Sequence, residues 1–162
     1  MSAKTAVGGK APGFTLPRDG GGDVSLADFK GKKLVLYFYP KADTEGCTVE
    51  AKDFSKLAPA FTRAKTAILG VSADPVKKQD RFKTKHDLTI ALGSDETHEM
   101  LNAYGVWAEK SMYGRKYMGI LRNTYLIGPD GKIVKHWDKV DPKGHSDMVL
   151  AEIKAHTPAK TG

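Results

Sequence analysis

The sequence predicts an α/β layer fold, with strands and helices alternating along the chain. Two uninterrupted apolar runs, Lys33 to Tyr39 and Ala67 to Ala73, have the length of strands and lack the polar alternation of a half-exposed one. They read as strands buried on both faces. Each is followed by a segment with helical spacing, and a Gly128-Pro129-Asp130-Gly131 turn separates two further strand candidates. Such alternation requires a sheet layered against helices. The chain has 162 residues, about the length of one globular domain, so residues 1–162 are expected to share one core.

The elements follow in order. Phe14 to Leu16, the Gly20-Gly21-Gly22 turn and a second short apolar segment before Phe29 predict an N-terminal hairpin. The first buried strand then runs between Gly31 and Pro40. Asp43-Thr44-Glu45-Gly46 supplies helix-start chemistry, and Ala51, Phe54, Leu57, Ala58 and Phe61 fall on one face, predicting a helix from Glu45 to Arg63. Pro59 removes a backbone donor and disfavours helical geometry at Ala58, so a kink is expected there. After the second buried strand come a basic helix from Val76 to Lys85, a short strand from Thr89 to Leu92 and a short helix over residues 95 to 105. Residues 106 to 121 read as a glycine-punctuated loop. Asn123 to Ile127 and Ile133 to Trp137 form a hairpin about the Gly-Pro-Asp-Gly turn, and Ser146 to His156 a closing helix.

Composition narrows the function. With 40% apolar and 28% charged residues and no apolar run of bilayer length, the chain is expected to be soluble, without a membrane partner. The first residues lack the apolar stretch of a secretory signal, which predicts the reducing cytoplasm. The net charge of +7 is dispersed rather than gathered in a run, which argues against nucleic acid as a partner. Lys77, Arg81 and Lys85 recur at helical spacing, as a solvated face or an anion or partner surface. His86, His98, His136, His145 and His156 show no metal-ligand spacing, so no metal or other cofactor is expected. Trp107 and the tyrosines around it are interface or pocket candidates, with core packing the ordinary use of at least half of them.

The smallest count carries the most weight: there is one cysteine, Cys47. It excludes an intrachain disulfide, a CxxC motif and a cysteine-built zinc site within one chain. Its position is chemically favourable. In the first turn of a helix, backbone N–H groups lack intrahelical partners and favour a thiolate over a thiol. With Thr44 as N-cap, Cys47 falls at N3, within reach of the threonine hydroxyl through its backbone or its sulfur. A free cysteine is also, commonly, just a small buried apolar residue.

The string from Tyr39 through Pro40, Thr44 and Cys47 to Ala51 resembles the peroxiredoxin motif of a proline, three residues, a threonine, two residues and the peroxidatic cysteine. It is most similar to the bacterioferritin-comigratory-protein, or Q-type, branch. Ala11-Pro12-Gly13-Phe14, Leu69-Gly70-Val71-Ser72 with Asp74, Tyr104-Gly105-Val106-Trp107 with Glu109-Lys110, and Met112 through Arg122 extend the resemblance over nearly the whole chain. It implies a thioredoxin-like fold, a central mixed sheet with helices on both faces. It also implies a thiol-dependent peroxidase in which Cys47 attacks a hydrogen peroxide or organic hydroperoxide and becomes a sulfenic acid. On the same resemblance Thr44 bonds the thiolate and the peroxide, Pro40 shields the sulfur, and Arg122 stabilises charge moving between sulfur and oxygen. Glu50, one turn beyond Cys47, either orients Arg122 or is an exposed helix acid.

The chain departs from this family at two places. Many Q-type members carry a resolving cysteine; here the position five residues after Cys47 is Lys52, and no second cysteine exists. The reductant must therefore be an external thiol: thioredoxin, glutaredoxin or a low-molecular-weight thiol. Glu45 stands where the family often has proline, placing a carboxylate near the sulfur. A monomer is the branch's usual arrangement, with a dimer through the aromatic loop as the alternative. Outside enzymes, the competing reading is a non-catalytic thioredoxin-fold redox sensor or chaperone-like binding module.

Overall fold

The computed structural model describes residues 6–156. The expectation about the extreme N-terminus, and residues 157–162 of the expected 1–162 span, lie outside them. An N-terminal hairpin pairs β1 (Thr15–Pro17) with β2 (Asp23–Ser25) across the predicted glycine turn. The central strands are β3 (Lys33–Phe38), β4 (Thr66–Ser72), β5 (Ala91–Ser94), β8 (Thr124–Ile127) and β9 (Ile133–Trp137), in the order β5-β4-β3-β8-β9. The β3-β4 and β4-β5 pairs are parallel, and β3-β8 and β8-β9 are antiparallel. The mixed sheet of a thioredoxin-like fold is therefore present.

Burial on both faces explains the unbroken apolar runs. Along β3, Leu34, Leu36 and Phe38 enter one core with Leu69, Val71, Tyr104 and Tyr125, while Val35 and Tyr37, with Tyr39 just beyond the strand, enter the other with Phe54, Phe61 and Phe82. The helices divide between these faces. Helix α1 (Glu45–Arg63) packs Ala51, Phe54 and Phe61 into the second core, joined there by Phe82 of α2 (Val76–His86) and by Val149 and Ile153 of α4 (His145–His156). The short α3 (Glu99–Ala103) adds Met100 and Leu101 to the first core.

Three expectations need revision. Residues 106–121 are a hairpin, β6 (Trp107–Met112) against β7 (Arg115–Ile120), turning at Tyr113 and Gly114, which both have positive φ (53° and 79°). Its residues from Met112 to Met118 are exposed, so no hydrophobic alternation marks the strands. The strand predicted at Thr89–Leu92 lies at Ala91–Ser94, in register with β4. The short helix is only Glu99–Ala103, because Asp95 turns back to accept the Leu101 N–H at 2.8 Å and so caps a late start. Helix α1 holds Pro59 inside its 19 residues and has the predicted limits, Glu45 and Arg63.

Of the aromatics near Trp107, Tyr104 is buried and Trp107 packs on the first core, whereas Tyr113 and Tyr117 are exposed. Gly70 of β4 is required by a close approach. A Cβ there would lie 2.8 Å from Cζ and 2.9 Å from the hydroxyl of Tyr37, a ring buried beneath α1 and stacked on Phe54. Gly70→Ala should therefore cost about 1–3 kcal/mol by overpacking. Urea denaturation measures this, and an unchanged midpoint would refute the tight contact.

Candidate active site

The segment leaving β3 enters α1 through Pro40 to Thr44. Its backbone is held from the side: the Ala42 N–H donates to Asp74 Oδ2 at 2.7 Å, and Asp74 in turn accepts from the Ser72 hydroxyl at 2.7 Å. Asp43 adopts a left-handed conformation (φ 64°), and its carboxylate meets Lys85 Nζ and His86 Nε2 of α2, each at 2.8 Å. Thr44 is the N-cap in an extended conformation, which puts Cys47 at N3, as the spacing predicts. The expected hydroxyl contact is not made. The Thr44 hydroxyl donates to the Lys41 carbonyl at 2.8 Å, and reaches neither the Cys47 backbone nor its sulfur. Pro40 is half-buried beside Tyr39, a member of the apolar cluster that encloses Cys47.

Cys47 is 1% exposed and meets one strong donor. Arg122, from the turn between β7 and β8, directs Nη2 at the sulfur at 3.4 Å and Nη1 at Glu50 Oε1 at 2.8 Å. Cys47 and Glu50 lie three residues apart on one face of α1, and the planar guanidinium spans them. Glu50 is fully buried, so the exposed-acid alternative does not hold. Burial pushes its carboxyl up to about 7, against the pull of Arg122, and its second oxygen has no hydrogen-bond partner. For Arg122 burial acts to lower the pKa, but Cys47 and Glu50 outweigh it and raise it, so the guanidinium stays charged.

Three further residues shape the site without having been singled out from sequence. Gly46 permits the approach of the arginine: a Cβ there would lie 3.3 Å from both Arg122 Nη2 and Pro142 Cγ. Lys110 of β6 crosses Gly119, where a Cβ would come within 2.9 Å of its Cδ, and donates to the Ile120 carbonyl at 2.9 Å. Burial and then the Arg122 charge lower the Lys110 pKa. Only its place in the Glu109-Lys110 motif could have marked it. His145, buried against Phe54 and Trp137 with Nε2 2.8 Å from the Thr124 hydroxyl, is drawn down to about 4 by burial and by Arg122. It is neutral at pH 7, and no signal in its surrounding sequence foretold that.

A charged guanidinium bonded to a cysteine sulfur at a helix N-terminus can stabilise a thiolate and then the negative charge that passes to a departing oxygen. The chemistry available is nucleophilic attack by sulfur.

Comparison with known proteins agrees. Residues 7–136 match the AhpC/TSA family. The chain is 44% identical over 148 residues to peroxiredoxin Bcp of Bacillus subtilis, covering 91% of this chain and 94% of that protein. It is 42% identical over 150 residues to peroxiredoxin Bcp of Escherichia coli, covering 93% and 96%. Among solved structures, peroxiredoxin Q of Xanthomonas campestris superposes with a TM-score of 0.85 at 44% identity, covering 89% of this chain and 91% of that one. A PrxQ mutant of Xylella fastidiosa gives 0.91 at 37% identity, covering 96% and 99%. With the motif about Cys47, the mixed sheet and the arginine on the sulfur all in place, the chain belongs to the AhpC/TSA family, as a peroxiredoxin of the Bcp or Q-type branch with a single cysteine.

Proposed function

We propose that the protein is a thiol-dependent peroxidase that reduces hydrogen peroxide and organic hydroperoxides at Cys47. The observation that carries this reading is the Arg122 guanidinium bonded at once to the Cys47 sulfur and the buried Glu50 carboxylate. The bacterioferritin comigratory protein of Xanthomonas campestris, a structural neighbour, has alkyl peroxide reduction activity, which supports the organic substrates. The thiolate attacks the terminal peroxide oxygen. An S–O bond forms as the O–O bond breaks, and the electron pair leaves on the second oxygen, which takes a proton and departs as water or alcohol. Arg122 stabilises the moving charge, and Glu50 acts through Arg122 as a positioning residue. Pro40 shields the sulfur from water. Thr44 bonds the incoming peroxide after its hydroxyl proton turns away from the Lys41 carbonyl.

The second half of the cycle needs another molecule. With one cysteine in the sequence, the sulfenic acid has no intramolecular resolving partner, so an external thiol restores Cys47. Thioredoxin, glutaredoxin and low-molecular-weight thiols have the chemistry. A monomer in the cytoplasm, where such thiols are kept reduced, is the setting we propose. Among the described residues no helix is long and apolar enough to cross a membrane.

Turnover tests the reading against a sensor or chaperone-like module. With excess dithiothreitol, the wild type should consume many equivalents of peroxide and Cys47→Ser none; a single stoichiometric oxidation would support the sensor instead. A second test concerns Glu50. Its folded-state carboxyl keeps its proton up to about 7, whereas the unfolded chain releases it near the ordinary 4.5. Between those values the folded state binds more protons, so this group's contribution to stability falls as pH rises. Glu50→Gln removes the titration. Relative to wild type, the variant should gain about 1–3 kcal/mol of unfolding free energy between pH 5 and pH 8. Parallel stability profiles for the two proteins would contradict the buried, raised carboxyl.

A further inference from the structure

Helix α2 carries cations that the reaction at Cys47 leaves unused. Lys78, Arg81 and Lys85 lie three and four residues apart on one exposed face. With Lys41 they line a cavity of about 340 Å³ between α2 and the segment leading into α1. Its apolar wall includes Phe82, and its one carboxylate is Asp43. That carboxylate is already engaged by Lys85 and His86. Other charges along α2 are also occupied: Lys83 pairs with Asp19 at 2.7 Å, and Asp80 accepts the Gly20 N–H at 2.8 Å. Lys41, Lys78 and Arg81 have no ion-pair partner among the described residues.

The cavity is lined by Lys41, Ala42 and Asp43, the segment that leads from β3 to the helix bearing Cys47. Ala42 lines it and also packs against the apolar cluster that contains Cys47. Three unpaired cations around a concavity with an apolar wall will attract an anion of small-molecule size, since like-signed charges lining a cleft raise the local concentration of the opposite charge. The reaction supplies a reason for such an anion to come here, because this chain requires a thiol from outside.

Resting on the peroxidase reading above, we propose that the basic cavity formed by Lys41, Lys78 and Arg81 receives the reductant, a small thiol bearing carboxylate groups. The carboxylates pair with the cations and hold the thiol beside Lys41–Asp43, from which it reaches the oxidised sulfur. Its thiolate attacks the Cys47 sulfenic sulfur, forming an S–S bond and breaking the S–O bond, and the oxygen leaves as water after taking a proton. A second thiol molecule attacks the mixed disulfide, releases the Cys47 thiolate and departs as the oxidised disulfide. Two thiols are oxidised for each peroxide reduced, so the electrons balance.

The test oxidises the protein with one equivalent of hydrogen peroxide and times sulfenic acid reduction by 3-mercaptopropionate, which is anionic, and by neutral 2-mercaptoethanol. Each rate is referred to thiolate concentration. In the double variant Lys78→Gln/Arg81→Gln, the ratio of the anionic to the neutral rate should fall about tenfold. In the wild type the same ratio should fall as salt is added. Circular dichroism shows whether the variant keeps its fold, and the salt series on wild type needs no variant at all. A ratio that neither the substitutions nor salt alters would overturn the cavity as the reductant site. Charge dependence seen with a protein dithiol such as thioredoxin, and absent with both small thiols, would assign the surface to a protein partner and overturn the small-thiol occupant. If no thiol restores Cys47, the peroxidase reading itself fails, a result distinct from an unaltered ratio.

Discussion

Glu50 is fully buried with a single hydrogen-bonded oxygen, and its partner is the Arg122 guanidinium at 2.8 Å. A buried carboxylate is costly unless paired, and removing one partner from such a pair leaves a charge with nothing to answer it. This constraint reaches outward. It fixes the arginine, and the second arm of the same rigid fork then has one direction left, toward the Cys47 sulfur at 3.4 Å. A lysine could not divide itself between two acceptors with that geometry. The residue at 46 must be small, because the arginine passes where a side chain would begin.

The fold exists, from the site's point of view, to bring Arg122 to residues 72 and 75 positions away in sequence. Strand β3 is central to this. It pairs with β4 on one side and β8 on the other, so the chain leaving β3 into α1 and the chain entering β8 from Arg122 lie at the same end of neighbouring antiparallel strands. The Phe38 N–H donates to the Asn123 carbonyl at 2.8 Å, tying the two segments together just before the site. Burial of both faces of this strand keeps that register, since a slip would expose one apolar set and bury the wrong one. The charges around Arg122 are graded as well. His145 is neutral beside it, leaving the guanidinium as the cation bonded to sulfur.

Legibility in the sequence followed the strength of the local physics. The strands in the two apolar runs, the limits of α1 and the Gly128 to Gly131 turn were readable because burial on two faces, helical spacing and turn chemistry each leave a period or a residue type behind. The β6-β7 hairpin left neither, since most of its residues face solvent. Cys47 was readable as a helix-start cysteine, but resemblance rather than spacing pointed to Arg122, because an arginine after a turn is ordinarily a surface residue. Glu50 had two equal readings until its burial decided between them. The Thr44 hydroxyl was misplaced because a cap position specifies the backbone and leaves a rotor free to choose the nearer Lys41 carbonyl.

Glu50 acts on Cys47 through Arg122, and a double-mutant cycle on the oxidation step measures that coupling. The second-order rate constant for Cys47 oxidation by hydrogen peroxide is measured for wild type, Arg122→Met, Glu50→Gln and the double variant. Arg122→Met should lower the constant by about 100-fold or more, and adding Glu50→Gln to it should change nothing further. Losses that multiply in the double variant, or an Arg122→Met protein oxidised at the wild-type rate, would contradict it.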